Sequence, residues 1–291
     1  MVKYACVFPG QGSQSVGMVA DLYAAYPQVQ ETFKEASEAL GYDLWDVIEN
    51  NPDGRLNQTE VTQPAILAAS VAIYRVLSSQ PGFVAPSVMA GHSLGEYSAL
   101  VCAGAIDFVD AIRLVALRGQ AMQAAVPEGT GAMAAIIGLD DEAVAKACEE
   151  SAQGEVVAPV NYNSPGQVVI AGHKAAVERA GEACKAAGAK RALPLPVSVP
   201  SHCALMQPAA DKLAEALAAI DVKMPAIPVV HNVSVALADS AEAIQNALVA
   251  QLYSPVRWTE TVQHIAGLGI ENLYEVGPGK VLSGLTKRID K

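Results

Sequence analysis

The feature that most constrains this chain is a serine flanked by glycines, between an apolar segment and a helix-like segment. The run GHSLG at residues 91–95 follows the apolar residues 88–90, and the next residues are typical of the first turns of a helix. Because glycine has no Cβ, this spacing allows the sharp strand-to-helix turn called a nucleophile elbow, with the serine hydroxyl held out of the bend. The pattern predicts that Ser93 faces the free N–H groups of the following helix. An ordinary Gly-rich turn would show the same five letters, so further residues must decide.

The composition indicates a globular α/β protein. The 291 residues are 52% hydrophobic and 5% aromatic, which suits one large domain or one large and one small domain. The net charge of −11 argues against nucleic acid as a partner, because phosphate contacts require a basic surface. The longest nearly apolar stretch, residues 65–74, is shorter than the roughly 18 residues of a membrane span, and the first residues lack a secretory signal. We therefore expect a cytoplasmic protein with no membrane contact.

The chain lacks local signatures of a metal, disulfide or nucleotide site. Its five cysteines are scattered and never in C-x-x-C spacing. Cys203 adjoins a candidate histidine, but an unreactive buried thiol is the favoured interpretation. The glycine-rich loop at residues 9–14 has Ser15 where a dinucleotide loop needs its third glycine, and no G-K-[ST] follows. We expect neither a metal nor a cofactor.

The order of predicted elements indicates two domains. A buried strand at residues 4–8, helices between about 31 and 80, the serine turn and a helix at 108–125 come first. Shorter elements then follow in the order βαββαβ of a ferredoxin-like unit, at 132–138, 140–150, 156–162, 167–171, 174–187 and 189–197. Helices at 206–219 and 240–252 and strands at 229–232 and 272–276 complete the chain. We predict a large domain over 1–128 and 199–291 and a small inserted domain over 129–198.

A serine nucleophile requires a base, and the chain holds five histidines. His202 lies in an irregular, proline-marked segment at the expected return between domains, where clefts form, and is the first candidate. His231, at the end of an apolar strand, is the second. The other three are expected to hold the turn or to face solvent: His92, His173 and His264. No aspartate between Ser93 and His202 stands out as an orienting acid, so a backbone carbonyl is the alternative.

Arg118 is an unusual residue for its surroundings. It follows the apolar residues 114–117 on the predicted helix at 108–125. In the ordinary interpretation its guanidinium reaches solvent along the helix surface or pairs with a neighbouring acid. In the functional one it binds the free carboxylate of a substrate with two parallel hydrogen bonds. The residues alone leave both possibilities open.

Six runs, taken in order, resemble the bacterial malonyl-CoA:acyl carrier protein transacylases. They are FPGQGSQ at 8–14, GHSLGEY at 91–97, RGQAM at 118–122, SVPSH at 198–202, QLYSPVRW at 251–258 and YEVGPGK at 274–280. The resemblance covers nearly the whole chain. It implies an α/β fold with a large α/β-hydrolase-like domain around a parallel sheet and an inserted small ferredoxin-like α+β domain, in agreement with the boundaries above.

The resemblance also implies a reaction. The malonyl group of malonyl-CoA would pass through a malonyl-serine on Ser93 to the phosphopantetheine thiol of acyl carrier protein, in a ping-pong cycle that supplies fatty acid biosynthesis. His202 would be the general base, oriented by the backbone carbonyl of Gln251. The backbone N–H groups of Gln11 and Leu94 would bind the oxyanion.

Three further residues would bind the substrate by the same resemblance. Arg118 would pair with the free carboxylate of malonate, and Met122 and Asn163 would line the substrate pocket. We expect a monomer whose partners are acyl carrier protein and malonyl-CoA. The acidic carrier protein would need a local basic patch, for which the candidates are Lys190, Arg191, Lys287 and Arg288.

Three rival functions share some of these features. A serine esterase or thioesterase would pass the acyl group to water, but Arg118 and the Gln11 loop argue against it. A polyketide acyltransferase would load a different carrier, although a chain of this length favours fatty acid synthesis. A catalytically idle scaffold is disfavoured because the serine, histidine and arginine are all present.

Overall fold

The computed structural model describes residues 3–197 and 199–290, in which the helices and strands form two regions, each around its own sheet. The strands are β1 Tyr4–Phe8, β2 Val88–Gly91, β3 Gly131–Ile137, β4 Val157–Ser164, β5 Gln167–His173, β6 Arg191–Pro194, β7 Val229–Val230 and β8 Asn272–Glu275. The α-helices are α1 Ala20–Ala25, α2 Pro27–Leu40, α3 Leu44–Asn50, α4 Thr59–Ser78, α5 Gly95–Cys102, α6 Phe108–Ala124, α7 Asp141–Ser151, α8 Lys174–Ala186, α9 Gln207–Ala218, α10 Ala241–Gln251, α11 Trp258–Gly267 and α12 Val281–Ile289. Short 3-10 helices span Pro52–Asn57 and Ala204–Met206.

The first sheet is parallel, in the order β7-β2-β1-β8. Side chains of β1 alternate between two apolar cores: Cys6 and Phe8 pack with α2, α4 and α6, while Ala5 and Val7 pack with α11 and α12. Burial on both faces explains why this strand is continuously apolar in sequence. Because the strands are parallel, β1, β2 and β7 all end at the same edge, where the loops that carry polar side chains begin.

The second sheet is antiparallel, in the order β4-β5-β3-β6. Helices α7 and α8 cover one face with an apolar cluster, and the element order is the predicted βαββαβ. On the other face Met133, Val160 and Val169 pack with Cys203 of the returning chain. Backbone hydrogen bonds between Val160 or Tyr162 and Val256 connect this sheet with the first region. The small region is thereby held against the edge of the parallel sheet where its strands end.

Several element bounds differ from the sequence-based expectation. Pro64 indicates a helix start at residue 63 or 64, because proline favours the first turn, but helix α4 begins at Thr59, a turn earlier, and Pro64 lies within it. Strand β6 is shorter than predicted: it pairs only with β3 and ends at Pro194, and Pro196 follows. Proline has no N–H to donate to a ladder. Helix α12 has no counterpart in the sequence prediction. The predicted boundary at Ser198 and the first residue of the run at 198–202 lie outside the described residues, as do residues 1 and 291.

Among the described residues, α4 alone is long and apolar enough by composition to cross a membrane. Of its most apolar window, 78% is buried inside the protein. This burial is typical of a core helix in a globular fold, and its contacts with α2, α5 and α6 fit that role.

Candidate active site

Ser93 lies on the tight turn between β2 and α5. Its φ is +54°, in the left-handed region that few residues other than glycine adopt. A Cβ on Gly91 would lie 1.9 Å from the carbonyl carbon of Gly95, and one on Gly95 would lie 2.0 Å from the carbonyl oxygen of Phe8. Both flanking glycines are therefore required for the close packing that the sequence motif predicted.

His202 faces the serine. Its Nε2 lies 2.8 Å from Ser93 Oγ, and its Nδ1 lies 2.6 Å from the backbone oxygen of Gln251. Because a carbonyl only accepts, Nδ1 carries the proton, and Nε2 is left to accept the serine hydroxyl. Burial, helped by the positive charge of Arg118, lowers the pKa of His202 to about 3. The imidazole is therefore a neutral base hydrogen-bonded to a serine, and this geometry can activate a nucleophile.

The second candidate base, His231, does not reach the serine. Its ring is buried, and its Nδ1 lies 3.4 Å from Oε1 of Glu96. Burial acts to lower the pKa of His231, but the nearby Glu96 carboxylate outweighs it and the pKa is raised. His231 thus belongs to a buried pair behind the elbow. Of the other histidines, His264 is exposed, whereas His173 is half-buried and accepts the N–H of Val156.

The loop after β1 lies directly against the elbow. A Cβ on Gly10 would lie 2.4 Å from the carbonyl oxygen of His92 and 3.6 Å from the backbone nitrogen of Leu94. Within residues 3–197 and 199–290, neither the backbone N–H of Gln11 nor that of Leu94 has a hydrogen-bond partner. Two free donors on adjoining segments beside a serine are suited to an oxyanion.

Arg118 projects from α6 into the same site and is only 1% exposed. Its Nη1 donates to Oε1 of Gln63 at 2.8 Å, and its Nη2 donates to Oε1 of Gln251 at 2.8 Å and to Ser93 Oγ at 3.4 Å. Its Nε has no partner within the described part of the chain. The alternative in which this side chain reaches solvent is therefore wrong. A buried guanidinium with only neutral acceptors is ready to bind an anion.

The two other predicted substrate residues also lie at the site. Met122 is buried, and its sulfur lies 3.4 Å from Nε2 of Gln63, the amide that contacts Arg118. Asn163, on β4, lies with its Oδ1 2.7 Å from Nε2 of His92. Because burial lowers the pKa of His92, this ring is neutral and donates Nε2–H to the asparagine. One side chain of the small region is thereby tied to the elbow.

Comparison with known proteins identifies the family. The acyl transferase domain family model matches residues 5–286. The malonyl CoA-acyl carrier protein transacylase of Escherichia coli strain K12 is 70% identical over 289 residues, which cover 99% of this chain and 93% of that protein. This chain belongs to the malonyl CoA-acyl carrier protein transacylase family. The Bacillus subtilis member is 45% identical over 292 residues, covering 100% of this chain and 92% of that protein.

Solved structures of family members have the same fold. An acyl carrier protein S-malonyltransferase from Vibrio cholerae superposes with a TM-score of 0.97 at 67% identity, covering 99% of this chain and 94% of that chain. A malonyl-transacylase in complex with its type II PKS acyl-carrier protein gives a TM-score of 0.97 at 67% identity, covering 99% of this chain and 93% of that chain. Like the transacylases, the protein is an acyltransferase enzyme with a mixed α/β fold.

Three buried residues of this transacylase site were missed by sequence reasoning. Gln63 holds Arg118, as described above. Asn232, after β7, accepts the N–H of Ser93 at 2.8 Å and donates to the carbonyl of Gly91 at 2.6 Å. Glu96, on the first turn of α5, accepts the N–H of Asn232 at 2.7 Å. Glu96 lies within the run at 91–97, but nothing in the local sequence of Gln63 or Asn232 indicates a role at the site.

The four candidate docking cations are exposed in the transacylase structure. Lys190 and Arg191 lie at the start of β6, whereas Lys287 and Arg288 lie at the end of α12. They therefore occupy two separate elements. In the described ranges, no group of three or more acidic, histidine or cysteine side chains is placed to hold a metal ion.

Proposed function

We propose that this protein transfers the malonyl group from malonyl-CoA to the phosphopantetheine thiol of acyl carrier protein. The observation that carries the proposal is the buried Arg118 guanidinium, 3.4 Å from the Oγ of Ser93. The serine and His202 supply acyl transfer, while the guanidinium supplies a carboxylate site within reach of the same acyl group. A malonyl thioester carries a carboxylate one methylene from its reacting carbonyl, and the names of the relatives support this substrate.

In the first half of the cycle, Ser93 Oγ attacks the thioester carbonyl and gives its proton to Nε2 of His202. The negative oxygen of the tetrahedral intermediate is stabilised by the N–H groups of Gln11 and Leu94. As the carbon–sulfur bond breaks, His202 returns the proton to the departing sulfur. Free CoA leaves, and a malonyl ester remains on Ser93.

The second half reverses these roles with a different thiol. The phosphopantetheine thiol of acyl carrier protein gives its proton to His202 as its sulfur attacks the malonyl ester. Collapse of the intermediate breaks the ester bond, and His202 returns the proton to Ser93 Oγ. The Gln251 carbonyl keeps Nδ1 protonated throughout, so the base faces the reaction with the correct nitrogen. The cycle uses the two substrates and no cofactor.

Selectivity for malonyl over acetyl follows from the same arginine. A malonyl carboxylate gives the buried guanidinium an anion in direct contact, whereas its hydrogen-bond acceptors among the described residues are neutral. An acetyl group would leave Arg118 with its neutral amide partners only. The site is therefore built to reject an acyl group that lacks the charge.

The wider setting of the proposal has three parts. The proposed domains are an α/β-hydrolase-like large domain over 1–128 and 199–291 and a ferredoxin-like insert over 129–198. The enzyme works as a cytoplasmic monomer in fatty acid biosynthesis, and the exposed cations near 190 and 287 dock the acidic carrier protein. A type II polyketide carrier is the second candidate acceptor, since the transacylase in the complex with such a carrier is 67% identical to this chain.

Intact-protein mass after mixing with malonyl-CoA tests the proposal. Wild type is expected to gain a malonyl adduct that acyl carrier protein discharges, and Ser93→Ala is expected to gain none. Arg118→Ala should lose malonyl acylation by roughly 100-fold while acetyl-CoA changes little, because only malonyl loses a charged partner. Steady release of CoA with no adduct would show a hydrolase instead. Discharge of the malonyl adduct is then compared for a fatty acid carrier protein and a type II polyketide carrier protein, and the faster of the two identifies the preferred acceptor.

A further inference from the structure

Glu96 is a buried carboxylate that the acyl-transfer scheme does not use. It lies three residues after the nucleophile and is 0% exposed. Its Oε1 accepts the backbone N–H of Asn232 at 2.7 Å, and its Oε2 accepts Nε2–H of Gln251 at 3.2 Å. Nδ1 of His231 lies 3.4 Å from Oε1, so the carboxylate has a buried partner as well as two donors. A buried carboxylate costs stability unless it is held in this way, and these contacts fix Glu96 beside the reacting serine.

The side chain of Gln251 has one orientation in this setting. Its Nε2 is surrounded by three acceptors: Oε2 of Glu96, the carbonyl of Ser93 at 2.9 Å and Oδ1 of Asn232 at 3.3 Å. A backbone carbonyl only accepts, and Oδ1 of Asn232 already accepts the N–H of Ser93, so the NH₂ end of the amide must face this group of oxygens. The amide oxygen is then directed to the opposite side, 2.8 Å from Nη2 of Arg118. A reversed amide would place two donors against each other at the guanidinium.

Gln251 therefore acts at two ends of the active site. Its backbone carbonyl orients His202, and its side-chain oxygen holds Arg118. Glu96 touches neither His202 nor Arg118 through a hydrogen bond, but it is the only carboxylate among the three acceptors that hold the NH₂ end of the Gln251 amide away from the arginine.

We propose that Glu96 is a positioning residue for carboxylate recognition, which acts by locking the Gln251 amide so that its oxygen aligns the Arg118 guanidinium. The inference rests on the proposed malonyl transfer and names a specificity-determining residue for it. Glu96 also supports the elbow, since it holds the N–H of Asn232 and Asn232 in turn binds Ser93. Loss of the contact between Glu96 and Asn232 would slow the transfer of every acyl group equally. Loss of the contact between Glu96 and Gln251 would slow the transfer of malonyl alone.

The test compares single-turnover acylation of Glu96→Gln by malonyl-CoA and by acetyl-CoA, followed by intact mass. The variant keeps the shape of the side chain but replaces the carboxylate acceptor of the Gln251 amide with a neutral amide, which weakens the hold on that side chain. We expect the malonyl rate constant to fall by roughly 10- to 100-fold and the acetyl rate constant to change by less than about threefold. An equal loss for both acyl groups, or an unchanged malonyl-to-acetyl ratio, overturns the inference.

A second variant decides the matter even if Glu96→Gln does not fold. Gln251→Met keeps the backbone carbonyl that orients His202 and removes the amide. It should show the same loss of malonyl preference, and Glu96→Gln added to it should lower that preference no further, because both act through one contact. A malonyl preference that survives in Gln251→Met overturns the inference.

The matched control is Glu275→Gln. This carboxylate accepts the N–H groups of Leu282 and Ser283 at the start of α12 and contacts no residue of the site. The variant is expected to melt at a lower temperature while it keeps the wild-type malonyl-to-acetyl ratio. If it changes that ratio as much as Glu96→Gln does, the effect is a general one and the inference fails. If wild type itself forms no malonyl adduct, the proposed function fails first.

Discussion

The two sheets of this transacylase differ in what they bury. Around the carboxyl edge of the parallel sheet, charged and amide side chains are buried together: Gln63, Glu96, Arg118, His202, His231, Asn232 and Gln251. The cluster between the antiparallel sheet and its two helices is entirely apolar, and the buried polar side chains of that region are Ser151 and Ser164. Hydrogen bonds between buried polar side chains organise the first region, whereas the packing of apolar side chains organises the second. We infer that chemistry depends on backbone geometry in one region and that stability depends on packing in the other.

The difference has a physical origin. Buried polar side chains require hydrogen-bond partners. In this site the partners lie on segments far apart in the chain, so each hydrogen bond depends on how several backbone segments are placed. An apolar cluster tolerates small shifts because its contacts are not directional. Asn163 is the point at which the apolar region contributes a polar side chain to the site.

The largest expected effect comes from Gly91→Ala in the parallel region. The new Cβ would lie 1.9 Å from the carbonyl carbon of Gly95, so the elbow cannot keep its geometry. We expect acylation of Ser93 to fall by roughly 1,000-fold or more, measured by intact mass over time. Gly267→Ala is the control, because a Cβ there would meet nothing within 4 Å beyond its chain neighbours and the backbone of its own helix. Wild-type acylation in Gly91→Ala would show that the turn is not organised by backbone packing.

The second largest effect is expected from Ile170→Ala in the antiparallel region. This substitution should change stability. Ile170 is 0% exposed within the apolar cluster under α7 and α8. Its truncation should lower the free energy of unfolding by about 2–5 kcal/mol, measured by urea denaturation. At a temperature where the variant is folded, the malonyl-to-acetyl ratio should equal that of wild type. A changed ratio would mean that the two regions are not separate in function.

The third prediction concerns the pH dependence of stability and of acylation, which in the parallel region is set by the buried His202. Its pKa of about 3 is below its ordinary value of 6.5, so the unfolded chain takes up a proton that the folded protein does not. This contribution to stability is complete above pH 6.5 and is lost as pH falls from there toward about 3. Single-turnover acylation by malonyl-CoA should show no titration between about pH 7.5 and about pH 5, since the base stays unprotonated. A rate that halves near 6.5 would show that His202 titrates like a solvated histidine.

The smallest expected effect is a gain of stability from Gly181→Ala. Gly181 lies inside α8 without a positive φ, and a Cβ there would meet Ala192 at an ordinary 3.5 Å. Alanine should raise the free energy of unfolding by about 0.5–1 kcal/mol, because it restricts the unfolded chain and favours the helix. Acylation should not change. A destabilised Gly181→Ala protein would show that packing in this region is tighter than its geometry indicates.

Much of the architecture was predictable from local pattern. The alternation of strands and helices at 131–194, the elbow around Ser93 and the early strand at Tyr4–Phe8 all follow from periodicity and from where glycine and proline stand. Helix α12 was not predicted, and the strand predicted at 229–232 is shorter in the structure, where β7 spans Val229–Val230 and pairs with β2 alone. His202 was favoured over His231 from its setting in the chain, and the geometry places it beside the serine.

By itself, the sequence determined the local features: a glycine-flanked serine that must turn sharply, the order of the elements, and an arginine on an apolar helix. Only the tertiary structure decided which groups complete the site. Asn232 is hydrogen-bonded to Ser93 although the two are 139 residues apart in sequence, and the side-chain amide of Gln251 is hydrogen-bonded to Ser93 at a separation of 158 residues. Such contacts leave no periodic trace, because they depend on which strand ends are neighbours in the sheet. Local sequence reports backbone preference, whereas the orientation of a buried amide is set by every acceptor around it.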